Sequence, residues 1–259
     1  MNLVTAFLSF FLYSFIGWFY ETTVCSYVKY KKFINRGFLM GPLCPIYGVG
    51  AVVCYLLFHE VNSPLALFLS AAIVCSILEY VTSYAMEKLF HARWWDYSHF
   101  PFNLNGRVCL YGAVLFGAGC VWVCRLSQPG LLRFFDFLTP FVCYILFAVL
   151  MIVFIVDITI TLCSFRNLNA HLKALYDQYE EKANLAMEEI SEQFNTKTVP
   201  KFEHSKQALT LQIQEKLHGF KKGELHFLRA FPSLEFHRYK KVITTESIKE
   251  LFNKRKQKH

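Results

Sequence analysis

Glu79, Ser83 and Glu87 stand four residues apart in a stretch that is otherwise mostly apolar, and His91 extends the series by one more step. On an α-helix this spacing puts the side chains on one face. Tyr13, Gly17 and Glu21 repeat the pattern in an earlier apolar stretch. Such carboxylates can bind a cation, accept hydrogen bonds or pair with guanidinium groups. The counter-charges that suggest themselves are Arg36 and Arg107, which follow Asn35 and the pair Asn103 and Asn105. The planar fork of arginine suits bidentate pairing with carboxylate where water is scarce. With Asp96, these residues form one expected polar cluster: Glu21, Asn35, Arg36, Glu79, Glu87, Asp96, Asn103, Asn105 and Arg107. Two roles stay open for it, a path for a substrate or ion and a salt-bridge network that fixes helix packing.

The stretch "HARWWDYSHFPFNLNGRVCLYG", His91 to Gly112, contributes four of those nine residues and adds the aromatics Trp94, Trp95 and Tyr97. Aromatic rings at a membrane boundary act as anchors. This segment has more hydrogen-bonding capacity than anchoring needs. Gly106 also permits backbone angles that other residues resist, so a folded re-entrant or interfacial loop is expected.

Several chemistries are not signalled. There is no GxxxxGK[ST], HExxH, GxSxG or GxGxxG, so no nucleotide site or hydrolase motif is expected in this chain, and no catalytic residue is assigned. The nine cysteines include no CxxC and read as small apolar residues in a reducing setting. Cys120 and Cys124 lie one helical turn apart, but their sequence neighbours supply no further ligands for a metal. Neither a metal, nor a cofactor, nor a nucleic-acid partner is expected.

The elements that must position the cluster are apolar. Leu3 to Tyr20, Gly37 to Phe58, Val61 to Leu78, Val108 to Cys124 and Phe137 to Val156 each lack Asp, Glu, Lys and Arg. Each approaches the roughly 20 residues a helix needs to cross a hydrocarbon core. Unpaired backbone groups are not tolerated in lipid, so helices are expected rather than strands. The predicted fold class is an all-α integral-membrane bundle of five transmembrane helices in a lipid bilayer. Lys29, Lys31, Lys32 and Arg36 follow the first run, and Lys88, Arg93 and Arg107 follow the third. The excess of basic residues there places the N-terminus outside and the C-terminus in the cytoplasm.

Residues 1–164 are therefore expected to form the transmembrane domain and 165–259 a cytoplasmic helical tail, partly flexible at its end. The tail holds 18 Lys or Arg and 12 Asp or Glu from Arg166 onward. Leu168, Leu172, Leu175, Tyr179, Ala183, Ala186, Ile190 and Phe194 recur as an amphipathic helix or short coiled coil requires. Further helices are predicted around Ser205 to Leu217 and from Thr245, and the terminal "NKRKQKH" can attract anionic lipid. Oligomers through the membrane helices or the tail are compatible with this layout.

At "YSFIGWFYET", "NRGFLMGPLCPIYGVGA", "LEYVTSYAMEKLFHARWWDYS" and "FNLNGRVCL" the chain resembles the bacterial membrane-protein family called "Putative ABC-transporter type IV" permeases. The resemblance covers roughly residues 10 to 120. It implies a multi-pass protein of the bacterial inner (plasma) membrane and the permease component of a transporter, with the ATPase in a separate chain. The chain shows no coupling loop of the EAA type. The alternative reading is a non-transporting scaffold or membrane enzyme that recruits partners through its tail.

Overall fold

The computed structural model describes residues 1–193, 221–231 and 234–236. The expected helices around Ser205 and Thr245, the end of the heptad-like series at Phe194 and the basic C-terminal segment lie outside the described residues.

The first helix, α1 (Leu3–Tyr20), starts at Asn2, whose side chain accepts from the Thr5 amide at 2.8 Å while Thr5 Oγ1 accepts from the Asn2 amide at 3.1 Å. That reciprocal pair satisfies two of the amides left open at a helix start. A wide π-type turn (Glu21–Cys25) carries the chain into α2 (Ser26–Tyr30), which stops at Lys31, a residue with φ of 54°. Then come α3 (Pro45–Phe58), α4 (Pro64–Phe90) and α5 (Leu110–Trp122). A second π-type turn (Val123–Ser127) leads into α6 (Gln128–Phe137). The long α7 (Pro140–Gln193) and the short α8 (Lys222–Ala230) complete the helices among the described residues.

Four helical segments, Leu3–Val28, Pro64–Phe90, Leu110–Phe137 and Pro140–Gln178, are long and apolar enough to cross a bilayer. The protein is thus a helical membrane protein. The second apolar run behaves differently from the expectation of one continuous helix. Only Pro45–Phe58 is helical, about 21 Å at 1.5 Å per residue against a core of about 30 Å. Gly37 to Cys44 instead forms an irregular segment. Pro45 pushes Cys44 out of helical geometry, to φ −117° and ψ 89°, and Pro42 has no amide to give a helix. Several of its amides find partners inside the protein. The Met40 amide donates to Thr161 Oγ1 at 3.0 Å, the Gly41 amide to Asp157 Oδ1 at 2.9 Å and the Cys44 amide to the Ser14 carbonyl at 2.9 Å. Irregular backbone survives at membrane depth only where protein groups supply such partners.

Small residues bring the helices together. Gly48 of α3 lies against Ser14 and Phe10 of α1, Gly17 of α1 lies against the Tyr47 ring, and Gly117 of α5 lies against Phe68 and Ala72 of α4. Without hydrophobic drive inside lipid, such close backbone approach is a main source of helix association.

The two ends of the bundle have distinct seams. At one end Arg125 donates to the carbonyls of Val61 and Asn62, and Gln128 donates to Ser9 Oγ at 2.8 Å. The N-terminal turns, the α3–α4 connector and the α5–α6 junction thus meet. At the other end Trp94, Phe165, Leu168, Leu172, Leu225, Phe227, Leu228 and Phe236 form a buried cluster, with Phe38 and Phe90 packed on it. Here the two basic connectors, α7 and α8 meet. Short strands β1 (Ala92–Arg93) and β4 (Glu235–Phe236) pair antiparallel across this seam, and β2 (Asn103–Leu104) pairs with β3 (Val108–Cys109) inside the loop before α5.

The amphipathic series that begins at Leu168 is therefore no separate helix: it continues the last apolar helix without a break. Leu168 and Leu172 are fully buried, against α8 and the Trp94 loop of the same chain.

Candidate functional site

The nine polar residues of the expected cluster share one end of the bundle, but the ion pairs formed among them are two separate ones, Glu21 with Arg36 and Glu87 with Arg107. Glu21 sits at the first residue of the π-type turn after α1, a widening of the kind often found at functional positions. Its Oε1 accepts from the Tyr47 hydroxyl at 2.7 Å, and its Oε2 lies 3.5 Å from Arg36 Nη1. Asn35 beside it acts as a brace: its Oδ1 accepts from Trp18 Nε1 at 2.8 Å and from the Gly37 amide at 3.1 Å, and its Nδ2 donates to the Met40 carbonyl at 3.1 Å.

On α4, Glu79, Ser83 and Glu87 do share a face, as the four-residue spacing requires. Arg107 engages two of them, with Nη2 2.7 Å from Glu87 and Nη1 donating to Ser83 at 3.1 Å. Its guanidinium also lies 5.7 Å and 5.5 Å from the ring centres of Tyr80 and Tyr84. Glu79 is different. It is 4% exposed, its Oε1 accepts from the Tyr97 hydroxyl at 3.1 Å, and its Oε2 is buried without a hydrogen-bond partner. A carboxylate left half-satisfied among membrane helices is costly, so something must favour its retention. Burial, and then the negative fields of Glu79 and Glu21, push the Tyr97 hydroxyl well above the ordinary phenol range. Tyr97 therefore keeps its proton and donates it.

The loop between α4 and α5 is a folded unit. Asp96 pairs with Arg93 at 3.1 Å, not with Arg107, and accepts from the Ser98 amide and hydroxyl at 3.0 and 2.8 Å. Partial burial raises the Asp96 carboxyl, but the Ser98 donors and the Arg93 charge outweigh it and leave it below the usual range. Asn103 bridges the loop by accepting from the Gly106 amide at 2.9 Å and donating to the Phe100 carbonyl at 2.8 Å. Asn105 donates to the Tyr80 hydroxyl at 3.1 Å, and its carbonyl accepts from Arg93. Asn105 and Gly106 have φ of 53° and 64°, which explains the Asn-Gly dipeptide there. Trp95 Nε1 donates to the Arg107 carbonyl at 3.0 Å, whereas Trp94 is 2% exposed in the aromatic seam with Phe38, Phe165 and Phe231. Two roles thus separate: Trp95, Asp96 and the asparagines hold the loop, while Tyr97 and Arg107 reach the carboxylates of α4.

Sequence reasoning missed Asp157. It stands immediately after the last apolar run, yet it is 9% exposed and holds the Gly41 amide. An acidic residue at the edge of so apolar a run was the available signal. His226 of α8 was also missed. Its Nε2 lies 3.0 Å from the Gly37 carbonyl, which can only accept, so this nitrogen carries the proton. Desolvation lowers its pKa, so the ring is held neutral.

A second cluster lies apart from the carboxylates. Cys54 of α3, Cys75 of α4 and Cys120 of α5 bring their sulfurs within 4.8 Å of one another. Spacing along the chain pairs Cys120 with Cys124, and only the packing of three helices reveals the other two sulfurs.

Against known proteins, residues 8–162 match the model of the family described as "Putative ABC-transporter type IV". Neither the curated proteins nor the solved structures gave a match.

Proposed function

We propose that this chain, which belongs to the "Putative ABC-transporter type IV" family, is the permease component of a transporter whose ATPase is a separate chain. The observation that carries this reading is Glu79, a carboxylate buried among membrane helices with one oxygen lacking a partner. Intramembrane ionisable groups are expensive and usually mark a path. Glu21 and Glu79 each take a tyrosine hydroxyl on one oxygen. In this reading they line the cytoplasmic half of that path, with Tyr97 and the loop around it closing the inner end.

Five crossings with the N-terminus outside fit the same reading. In that arrangement α3 completes its crossing together with the segment Gly37 to Cys44. Support comes from the aromatic seam, where both basic connectors and the first turns of the tail lie together, as one cytoplasmic side would require.

The test is gentle purification from native membrane followed by identification of co-purifying chains and assay of ATP turnover in lipid nanodiscs. An ATPase chain is expected, with its turnover altered by Glu79→Gln but not by Glu60→Gln, a change at a side chain 90% exposed. A preparation without any ATPase, or one whose turnover ignores Glu79→Gln, refutes the proposal. In that case the scaffold or membrane-enzyme reading is favoured.

A further inference from the structure

We propose that Cys54, Cys75 and Cys120 form a membrane-embedded site for a thiophilic monovalent cation, Cu(I), bound by three sulfurs. The inference rests on the geometry of these residues and is independent of the transporter reading.

The three residues come from three different helices and are 0%, 7% and 6% exposed. Cys54 Sγ and Cys120 Sγ each lie 3.5 Å from Cys75 Sγ, and all three fall within 4.8 Å of one another. An ion at the centre of a triangle of sulfurs with metal–sulfur bonds of about 2.3 Å holds them about 4 Å apart. Two of the separations are about half an ångström shorter than that and the third lies within 4.8 Å, so small side-chain rotations suffice to seat the ion.

Simple packing of small apolar residues is the competing explanation, since free cysteine is often buried. It does not account for the convergence. Seven cysteines are buried, and among the described residues only these three come together as a group able to hold a metal. A disulfide would use two of the three and leave the third unpaired, and it needs sulfurs about 2.0 Å apart.

Ligand chemistry selects the ion. The hydrophobic side chains packed on the cluster are Ala71, Phe58, Val74 and Phe116, and among the described residues no imidazole or carboxylate joins the three sulfurs as a ligand group. Hard cations need oxygen ligands, and Zn(II) prefers four ligands. Three soft sulfurs in an apolar pocket suit Cu(I), which thiolates favour. Each sulfur that binds as thiolate gives up one proton to solvent, and no electron is transferred because the metal arrives as Cu(I). Affinity therefore rises with pH. Cys75 also lies four residues before Glu79, so the sulfur site continues the line of Glu79, Ser83 and Glu87 along α4.

The experiment titrates the full-length protein, anaerobically and in nanodiscs, with Cu(I) buffered by a competing chelator. X-ray absorption reads the ligand shell. One Cu(I) per chain with a shell of sulfur alone is expected, and affinity should fall at least 100-fold in Cys54→Ser, Cys75→Ser and Cys120→Ser. Cys163→Ser, at an exposed position, should bind as the unaltered protein does. Alanine replacements serve where a serine variant does not fold, and the absorption spectrum of the unaltered protein decides if neither folds. Equal affinity in the three variants, a shell containing nitrogen or oxygen, or a Cys54–Cys75 disulfide in protein taken from native membrane overturns the proposal.

Discussion

Replacing Asp157 by alanine removes the acceptor of the Gly41 amide, a hydrogen bond of 2.9 Å made by a residue 9% exposed. The bond is part-buried, and leaving a donor in such a place unsatisfied costs about 1–3 kcal/mol. Taking about 2 kcal/mol, at tenfold per 1.4 kcal/mol, the segment Gly37 to Cys44 opens on the order of 25-fold more often. Cys44, at the end of that segment, is 7% exposed and should report the opening. The assay is maleimide labelling of the purified protein with each cysteine followed by mass spectrometry. Cys163, already exposed, sets the intrinsic rate. Asp157→Ala should raise Cys44 labelling on the order of 25-fold, and Thr161→Val, which removes the weaker neutral acceptor of the Met40 amide, about 5-fold at roughly 1 kcal/mol. The reasoning fails if Cys44 labelling in Asp157→Ala stays within a factor of two of the unaltered protein. It fails equally if Cys54, Cys75 and Cys120 accelerate in step with Cys44, because that pattern is general unfolding and not release of one anchored segment.

Gly48→Val should lower thermal stability by the equivalent of about 1–3 kcal/mol of overpacking, because its new carbons meet the Phe10 carbonyl and Ser14. Gly119→Val, where nothing lies within 4 Å, should change the unfolding temperature little. The ion pair of Glu87 and Arg107, with side chains 22% and 13% exposed, should show a coupling of about 1–2 kcal/mol in a double-mutant cycle, below the value for fully buried pairs. Additive losses for Glu87→Gln and Arg107→Gln would mean that the two do not act together. Acid should loosen α8. His226 has a depressed pKa through desolvation, so the unfolded or undocked chain takes up its proton first. Its stabilising contribution is complete above the ordinary histidine pKa of about 6.5 and declines as pH falls below it. Protection of the amides in Lys222–Ala230, measured against their intrinsic exchange rates at each pH, should therefore fall below about pH 6.5, and a His226→Gln variant should lose that pH dependence.

The polar residues of the candidate site that the sequence singles out stand out because each breaks the pattern around it. Carboxylates at four-residue steps can only share a helix face, and Asn105-Gly106 reads as a left-handed turn from residue type alone. Pairing was not legible. Asp96 takes Arg93 and not Arg107 because the turn at Asn105 and Gly106 folds the Arg93 guanidinium back over Asp96. Spacing along a chain carries no information about that closure.

Composition and periodicity determined that this chain is a helical membrane protein and where its apolar stretches lie, because the cost of an unpaired backbone in lipid leaves few alternatives. Tertiary structure decided the rest. The run from Gly37 to Phe58 could break at Cys44 only because Asp157, Thr161 and Ser14, from two other helices, supply the hydrogen bonds that a continuous helix would have made internally. The meeting of Cys54, Cys75 and Cys120 likewise depends on the rotation and height of three helices against one another. Helix formation is a local balance that each sequence window can state, whereas the register between helices is set by side chains distant in sequence.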